Sequence, residues 1–233
     1  MLRLRMAFGL GMLLALLICC FSTADDKTPA GIVVDKEKRT VTIDAKIAPR
    51  KIDDPRYKEI YPIEVIACWP FPKGQKAHET VVTIDVRPSA VHKALEELGL
   101  KAGKPVVGQD TKEKAQGPEV NIFLAFKSAD GQEKKVPIEK TLLDPKTNKK
   151  MPKVKWLFTG SVMKKPDPNK DEQVYAADLS GTLVAIFPVT DETVFQTPLA
   201  FKDQEALRLE TDKTLLPKEG EPAKLVIEVP KGK

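Results

Sequence analysis

Residues 63–100, IEVIACWPFPKGQKAHETVVTIDVRPSAVHKALEELGL, constrain this chain more than any other stretch. Two runs rich in β-branched residues, 63–69 and 80–86, read as strands. The segment between them opens on Trp69-Pro70 and closes on His78-Glu79. Val91, Ala94, Leu95 and Leu98 then recur at i, i+3, i+4 and i+7, which predicts the one main helix over residues 89–98. Ser89 is placed to cap that helix and Gly99 to stop it. Two strands and an amphipathic helix each have an apolar face to bury, so the rest of the chain must supply the other side of a shared core.

That supply is mostly strand. Residues 31–34 and 39–47 flank the polar Asp35-Lys36-Glu37-Lys38, a hairpin signal. Residues 119–126 and 133–138 flank Asp130-Gly131, a strong turn dipeptide. Residues 174–179 and 182–187 flank Ser180-Gly181 in the same manner, and 155–158 and 225–229 are further short strands. Residues 215–223, LLPKEGEPA, read as a hinge tethering a final edge strand. The expected fold is α+β: mostly antiparallel strands and hairpins, with the helix at about 89–98 packed on the sheet. The expected organisation is a signal segment over 1–24, an α+β domain over 25–214, and a hinge with a C-terminal strand or tail over 215–233.

The N-terminus reads as a secretory signal. Arg3 and Arg5 precede an uninterrupted apolar or Gly run of 16 residues, 6–21. Ser22-Thr23-Ala24 then offers small residues for cleavage before Asp25. The run is short for a membrane span, which takes about 20 apolar residues. A membrane role is therefore expected only through this segment if it stays uncleaved. Cleavage removes two Arg and no acid, so the net charge falls from +5 to +3. The lysines are interspersed with acids, giving a solvated mixed surface and no nucleic-acid stripe. Cleavage also removes Cys19 and Cys20, leaving Cys68 as the single thiol of a chain expected to be periplasmic or secreted.

Three blocks occur in a recognisable order: IEVIAC with HET and RPSAVHKALEELGLKAGKP, then WLFTGS at 156–161, then VYAADLSGTLVAIFP at 174–188 followed by DETVFQTPL. Over about residues 31–200 the chain resembles the YdjY-type domain family of exported bacterial proteins. The resemblance implies a compact α+β domain outside the cytoplasm and implies no activity. Iron–sulfur chemistry does not carry over, because a cluster takes about four cysteines and the exported chain keeps one. WPFPKGQKA departs from the family's pattern, where a shorter Gly-rich stretch is usual.

Pairing residues 63–69 and 80–86 as an antiparallel hairpin sets Trp69 opposite His78 and Cys68 opposite Glu79, so that Cys68 and His78 point to opposite faces. That arrangement disfavours a Cys-His nucleophile, and no catalytic residue is assigned. Cys68, His78 and Glu79 are weak metal candidates, with zinc the transition metal such donors would take; otherwise no cofactor is expected. Packing accounts for Cys68 as a small buried hydrophobe. His92 is one helical turn from Glu96, and an ordinary ion pair accounts for it. The loop is the expected working surface, with Trp69 and Phe71 as apolar anchors and Lys73 and Lys76 as a rim. The function read from these residues is an exported, non-enzymatic binding or accessory domain with a protein partner in the bacterial envelope. A metal-binding or redox accessory protein using Cys68 with His78 or Glu79 is the alternative, and an unrecognised hydrolase or transferase the second.

Overall fold

The computed structural model describes residues 29–108 and 112–231. The signal segment lies outside the described residues. Among the described residues no helix is long and apolar enough to cross a membrane.

The first half supplies β1 (Ile32–Asp35), β2 (Thr40–Ile47), β3 (Val65–Cys68), β4 (Thr80–Ile84), helix α1 (Pro88–Glu97), β5 (Glu119–Lys127) and β6 (Glu133–Pro137). The second supplies β7 (Leu142–Leu143), β8 (Trp156–Phe158), β9 (Met163–Lys164), β10 (Val174–Tyr175) and helix α2 (Ala177–Ser180). It ends with β11 (Thr182–Ala185), β12 (Phe195–Gln196), helix α3 (Lys202–Ala206), β13 (Glu210–Thr211) and β14 (Pro222–Glu228).

These strands form a closed barrel. The order β2-β14-β5-β8-β12-β11-β3-β4 returns to β2 through the pairs Ala45↔Ile84, Lys46↔Thr83 and Ile47↔Val82. Two strands are long enough to fork. One edge of β2 holds β1 along its first half and β4 along its second, and one edge of β5 holds both β8 and β6. Alternation explains the closure. Val41, Ile43, Ala45 and Ile47 point inward from β2, Val120, Ile122, Leu124 and Phe126 from β5, and Ala223, Leu225 and Ile227 from β14. A sheet with one continuous apolar face can bury it by curling onto itself.

The α+β expectation is therefore corrected. Helix is only about 13% of the described residues, and the barrel buries its apolar face without a covering helix layer. Helix α1 is present at the expected place, but it packs on α2 and touches β2. Val91, Ala94 and Leu95 join the common core. Its N-cap is Arg87 with Pro88 in the first turn. Ser89 does not cap the helix; its N–H and hydroxyl both donate to Asp178 of α2, at 2.9 and 2.5 Å. Gly99 stops it as expected, with φ +83° and the bonds Gly99 N–H to Glu96 O and Leu100 N–H to Leu95 O of a Schellman motif. His92 lies 3.4 Å from Glu96 and 2.7 Å from the Tyr175 hydroxyl.

The β1–β2 and β5–β6 hairpins form where their turns predict. The hairpin expected around Ser180-Gly181 does not. β10 pairs with β9, and α2 is a helical turn ended by Gly181 at φ +72°. A Cβ on Gly181 would come within 2.7 Å of the Trp69 ring, so the turn and the indole fix each other. The last strand is interior, flanked by β2 and β5, where an edge position was expected.

Candidate functional site

The strands β3 and β4 run parallel, with Val65↔Thr80, Ala67↔Val82 and Cys68↔Thr83. The antiparallel register expected for them is corrected. Residues 69–79 are a crossover connection, near the short limit for a parallel pair. Two tight turns make it fit: Lys73 and Gly74 N–H groups bond Pro70 O, and Ala77–Glu79 form a 3₁₀ turn. Gly74 leaves no room for a side chain, because a Cβ would overlap the Trp69 carbonyl.

Parallel pairing places the residues just before each strand side by side. These are Glu64 and Glu79, joined by Glu64 N–H to Glu79 O at 3.1 Å. Lys76 Nζ sits between the two carboxylates, 2.7 Å from Glu79 and 3.2 Å from Glu64. His78 Nε2 lies 3.0 Å from Glu79 Oε1, and Gln204 of α3 donates to Glu64 Oε1. Burial, and then the neighbouring Glu79 carboxylate, push the Glu64 carboxyl up to about 7. Burial also acts to raise Glu79, but hydrogen bonds from His78, Glu64 and Lys76 outweigh it and hold that carboxyl at about 2. His78 Nδ1 is buried with no hydrogen-bond partner among the described residues. Arg50 closes the site from beneath. Its buried guanidinium bonds Glu210 at 2.7 Å and the backbone carbonyls of His78 and Tyr61.

Aromatic rings cover this network. Tyr57 stacks on His78 with centroids 4.3 Å apart, and Tyr61 meets the same imidazole edge-on at 5.1 Å. Phe71 meets Tyr57 edge-on at 6.0 Å. The Arg56 guanidinium lies 5.4 Å from the Phe71 centroid and 5.7 Å from that of Tyr57, braced by Asp54 at 2.8 Å. Ile60 is 48% exposed beside them in sequence.

The residues singled out from sequence thus part company. Phe71 is half-buried in the ring cluster and Lys73 is exposed at the turn. Lys76 is drawn into the carboxylate network. Trp69 turns inward, its indole N–H donating to Val86 O at 2.6 Å while the ring packs on the core. His78 and Glu79 are brought together. The Cys68 thiol lies elsewhere, fully buried under Gly74 and 3.9 Å from both Ser180 O and Thr182 Oγ1, where burial raises its pKa. Among the described residues no group of three or more His, Cys, Asp or Glu is placed to hold a metal ion. Glu64, Gln204, Arg50, Glu210, Tyr57 and Tyr61 have no counterpart in the sequence reading. One signal for the tyrosines was available: of three in the chain, two fall within residues 57–61.

Chemically, the ammonium between two carboxylates makes a clamp. It ties the crossover to the start of β3, while Gln204 ties α3 to the same point. The result is a rigid underlayer carrying a partly exposed patch of rings and cations. The YdjY domain model matches residues 32–228 of this chain. The chain belongs to the YdjY domain family. The match runs from β1 through β14, so the domain is the whole barrel, including its last strand. No curated protein and no solved structure matches the chain.

Proposed function

We propose that this YdjY domain is an exported, non-enzymatic binding module that docks a protein partner of the bacterial envelope through the patch formed by Arg56, Tyr57, Ile60, Phe71 and Lys73. The observation that carries the reading is the convergence of rings from two separate segments, 57–61 and 71–78, around one exposed guanidinium. Tyrosine and arginine are the residues in which binding energy concentrates at interfaces, and rings held edge to edge lose little freedom on docking. Arg50 and Lys76 keep both segments in place, which favours a preformed surface. The N-terminal pattern of two Arg, a 16-residue apolar run and Ser22-Thr23-Ala24 supports export.

The test is a photo-crosslinking residue at Lys73, irradiated in living cells. A discrete adduct that disappears in Tyr57→Ser/Phe71→Ser and in Arg56→Glu, yet persists in Lys224→Glu, is the expected result. An adduct indifferent to the patch substitutions, or none at all, would overturn it. Thermal melts of the purified variants separate loss of the surface from loss of the fold.

A further inference from the structure

A cavity of about 370 Å³ lies where the end of β2 meets β13 and the segment leading into β14. That segment is fastened to the strand: Gly220 N–H donates to Ile47 O at 2.8 Å, and Ile47 N–H to Glu221 O at 2.9 Å. Ala48, Leu216 and Pro217 contribute apolar lining, and Arg50, Lys213, Lys218 and Glu219 contribute charge. Arg50 is 4% exposed, and its donors are not all used. A guanidinium carries five N–H groups. Nε donates to Glu210 Oε1 at 2.7 Å, and Nη2 donates to Tyr61 O and to Glu210 Oε2. Nη1 donates to His78 O at 3.2 Å, and its second hydrogen has no acceptor among the described residues. A buried donor without an acceptor is costly, the more so on a charged group.

The charges of the lining do not cancel. Glu210 meets the charge of Arg50. Lys213 and Lys218 are exposed, and neither has an ion pair among the described residues. Against them the lining sets one carboxylate, Glu219, whose Oε1 accepts the Arg50 backbone N–H at 3.1 Å. Two lysines against one glutamate leave one positive charge uncompensated.

We infer that this cavity binds a small monocarboxylate with a short apolar chain. The carboxylate accepts the spare Arg50 Nη1 hydrogen and draws in the Lys213 and Lys218 ammonium groups, while the chain lies against Ala48, Leu216 and Pro217. One negative charge balances the one left over. A dianion would add repulsion with Glu219 and leave the apolar lining in contact with water. The volume is near the lower end of ligand pockets, which run from about 300 to 1,000 Å³, so the ligand is small. The spare donor on a buried guanidinium is what sets this place apart from two lysines solvated on a surface. The inference does not rest on the docking patch.

The probe is hexanoate, titrated into the purified protein and followed by amide NMR shifts, alongside its neutral amide hexanamide and inorganic phosphate. Saturable one-to-one binding of hexanoate with a Kd of about 1 mM or tighter is expected, with the shifts concentrated at residues 47–50 and 211–219. Hexanamide should bind at least about fivefold more weakly, the scale of exposed ion pairs, and phosphate should not compete at the same concentration. Lys213→Gln/Lys218→Gln should weaken hexanoate by a similar factor and leave hexanamide unchanged. Glu219→Gln keeps an acceptor for the Arg50 N–H, removes the repulsion and should tighten hexanoate. Lys213, Lys218 and Glu219 are exposed, and the comparison of hexanoate with hexanamide on the wild type needs no variant. No saturable hexanoate binding, shifts centred elsewhere, hexanamide or phosphate binding as well as hexanoate, or a double variant that binds hexanoate as the wild type does would each overturn the inference.

Discussion

Replacing Lys76 with Met would leave Glu64 and Glu79 facing each other without their cation. The three side chains are 27%, 13% and 6% exposed, so water replaces the ammonium poorly. Breaking a buried ion pair costs about 3–5 kcal/mol. Lys76 retains some contact with water, which brings the expected loss to about 2–3 kcal/mol at pH 8. The loss should depend on pH in a definite direction. Glu64, raised to about 7 in the folded protein, takes up a proton well above the ordinary carboxylate range. At pH 5.5 it is largely neutral, the repulsion with Glu79 disappears, and the deficit should shrink to about 1 kcal/mol. Urea unfolding of wild type and Lys76→Met at pH 8 and pH 5.5 measures both numbers. Adding Glu64→Gln to Lys76→Met should recover at least half of the pH 8 loss. A pH 8 deficit below about 0.5 kcal/mol, the scale of an ordinary surface substitution, would refute the reasoning, as would one unchanged at pH 5.5.

In the wild type the same two carboxylates give opposite slopes. Glu64 makes stability fall as pH rises from 4.5 to about 7, because there the folded chain holds a proton the unfolded chain has lost; Glu79, held at about 2, makes stability fall as pH drops from 4.5 toward 2, and chemical unfolding across pH 3–8 should show both limbs. Gly181→Ala forces a left-handed residue to carry a Cβ against the Trp69 ring, and should cost at least about 1–3 kcal/mol, with an unchanged melting temperature counting against that packing. Asp178→Ala removes the acceptor for both Ser89 donors and should cost about 1 kcal/mol, read as a lowered urea midpoint. The Cys68 thiol should stay silent to a thiol reagent until denaturant is added; equal rates in native and unfolded protein would place it at the surface.

Local signals in this chain were readable, and the barrel they build was not. Asp130-Gly131 makes its hairpin and Gly99 ends its helix, as their residue types predict. None of these says which strand lies beside which. Period-two alternation is the same for a sheet covered by a helix and for one closed on itself. Closure depends on pairs far apart in sequence, such as Ile227 with Val41 and with Ile122. Ser180-Gly181 misled for a related reason. A Ser-Gly pair supplies a left-handed turn, but whether that turn ends a helix or reverses a strand depends on Trp69, more than 100 residues earlier.

The carboxylate pair became visible only when the direction of β3 and β4 was known. In an antiparallel hairpin Glu64 would lie far from Glu79, and Cys68 would be its neighbour. In the parallel pair the two residues that precede the strands become adjacent, and Lys76 arrives between them because the crossover must return to the starting end. The aromatic cover follows from the same topology. Phe71 leaves with the outgoing half of the crossover and His78 comes back with the returning half, so Tyr57 can touch both. Segment 57–61 has no strand or helix period to mark it, and it reads as a charged connection until the two halves of the crossover give its tyrosines something to pack on. Arg50 then explains how a loop so irregular stays in place: one buried guanidinium binds the carbonyls of both Tyr61 and His78, fixing the two segments to each other beneath the rings. A surface assembled in this way should respond as a unit. Arg50→Met ought to loosen Tyr57 and Phe71 together, detectable as faster amide exchange across 57–61 and 71–78, whereas independent loops would loosen separately.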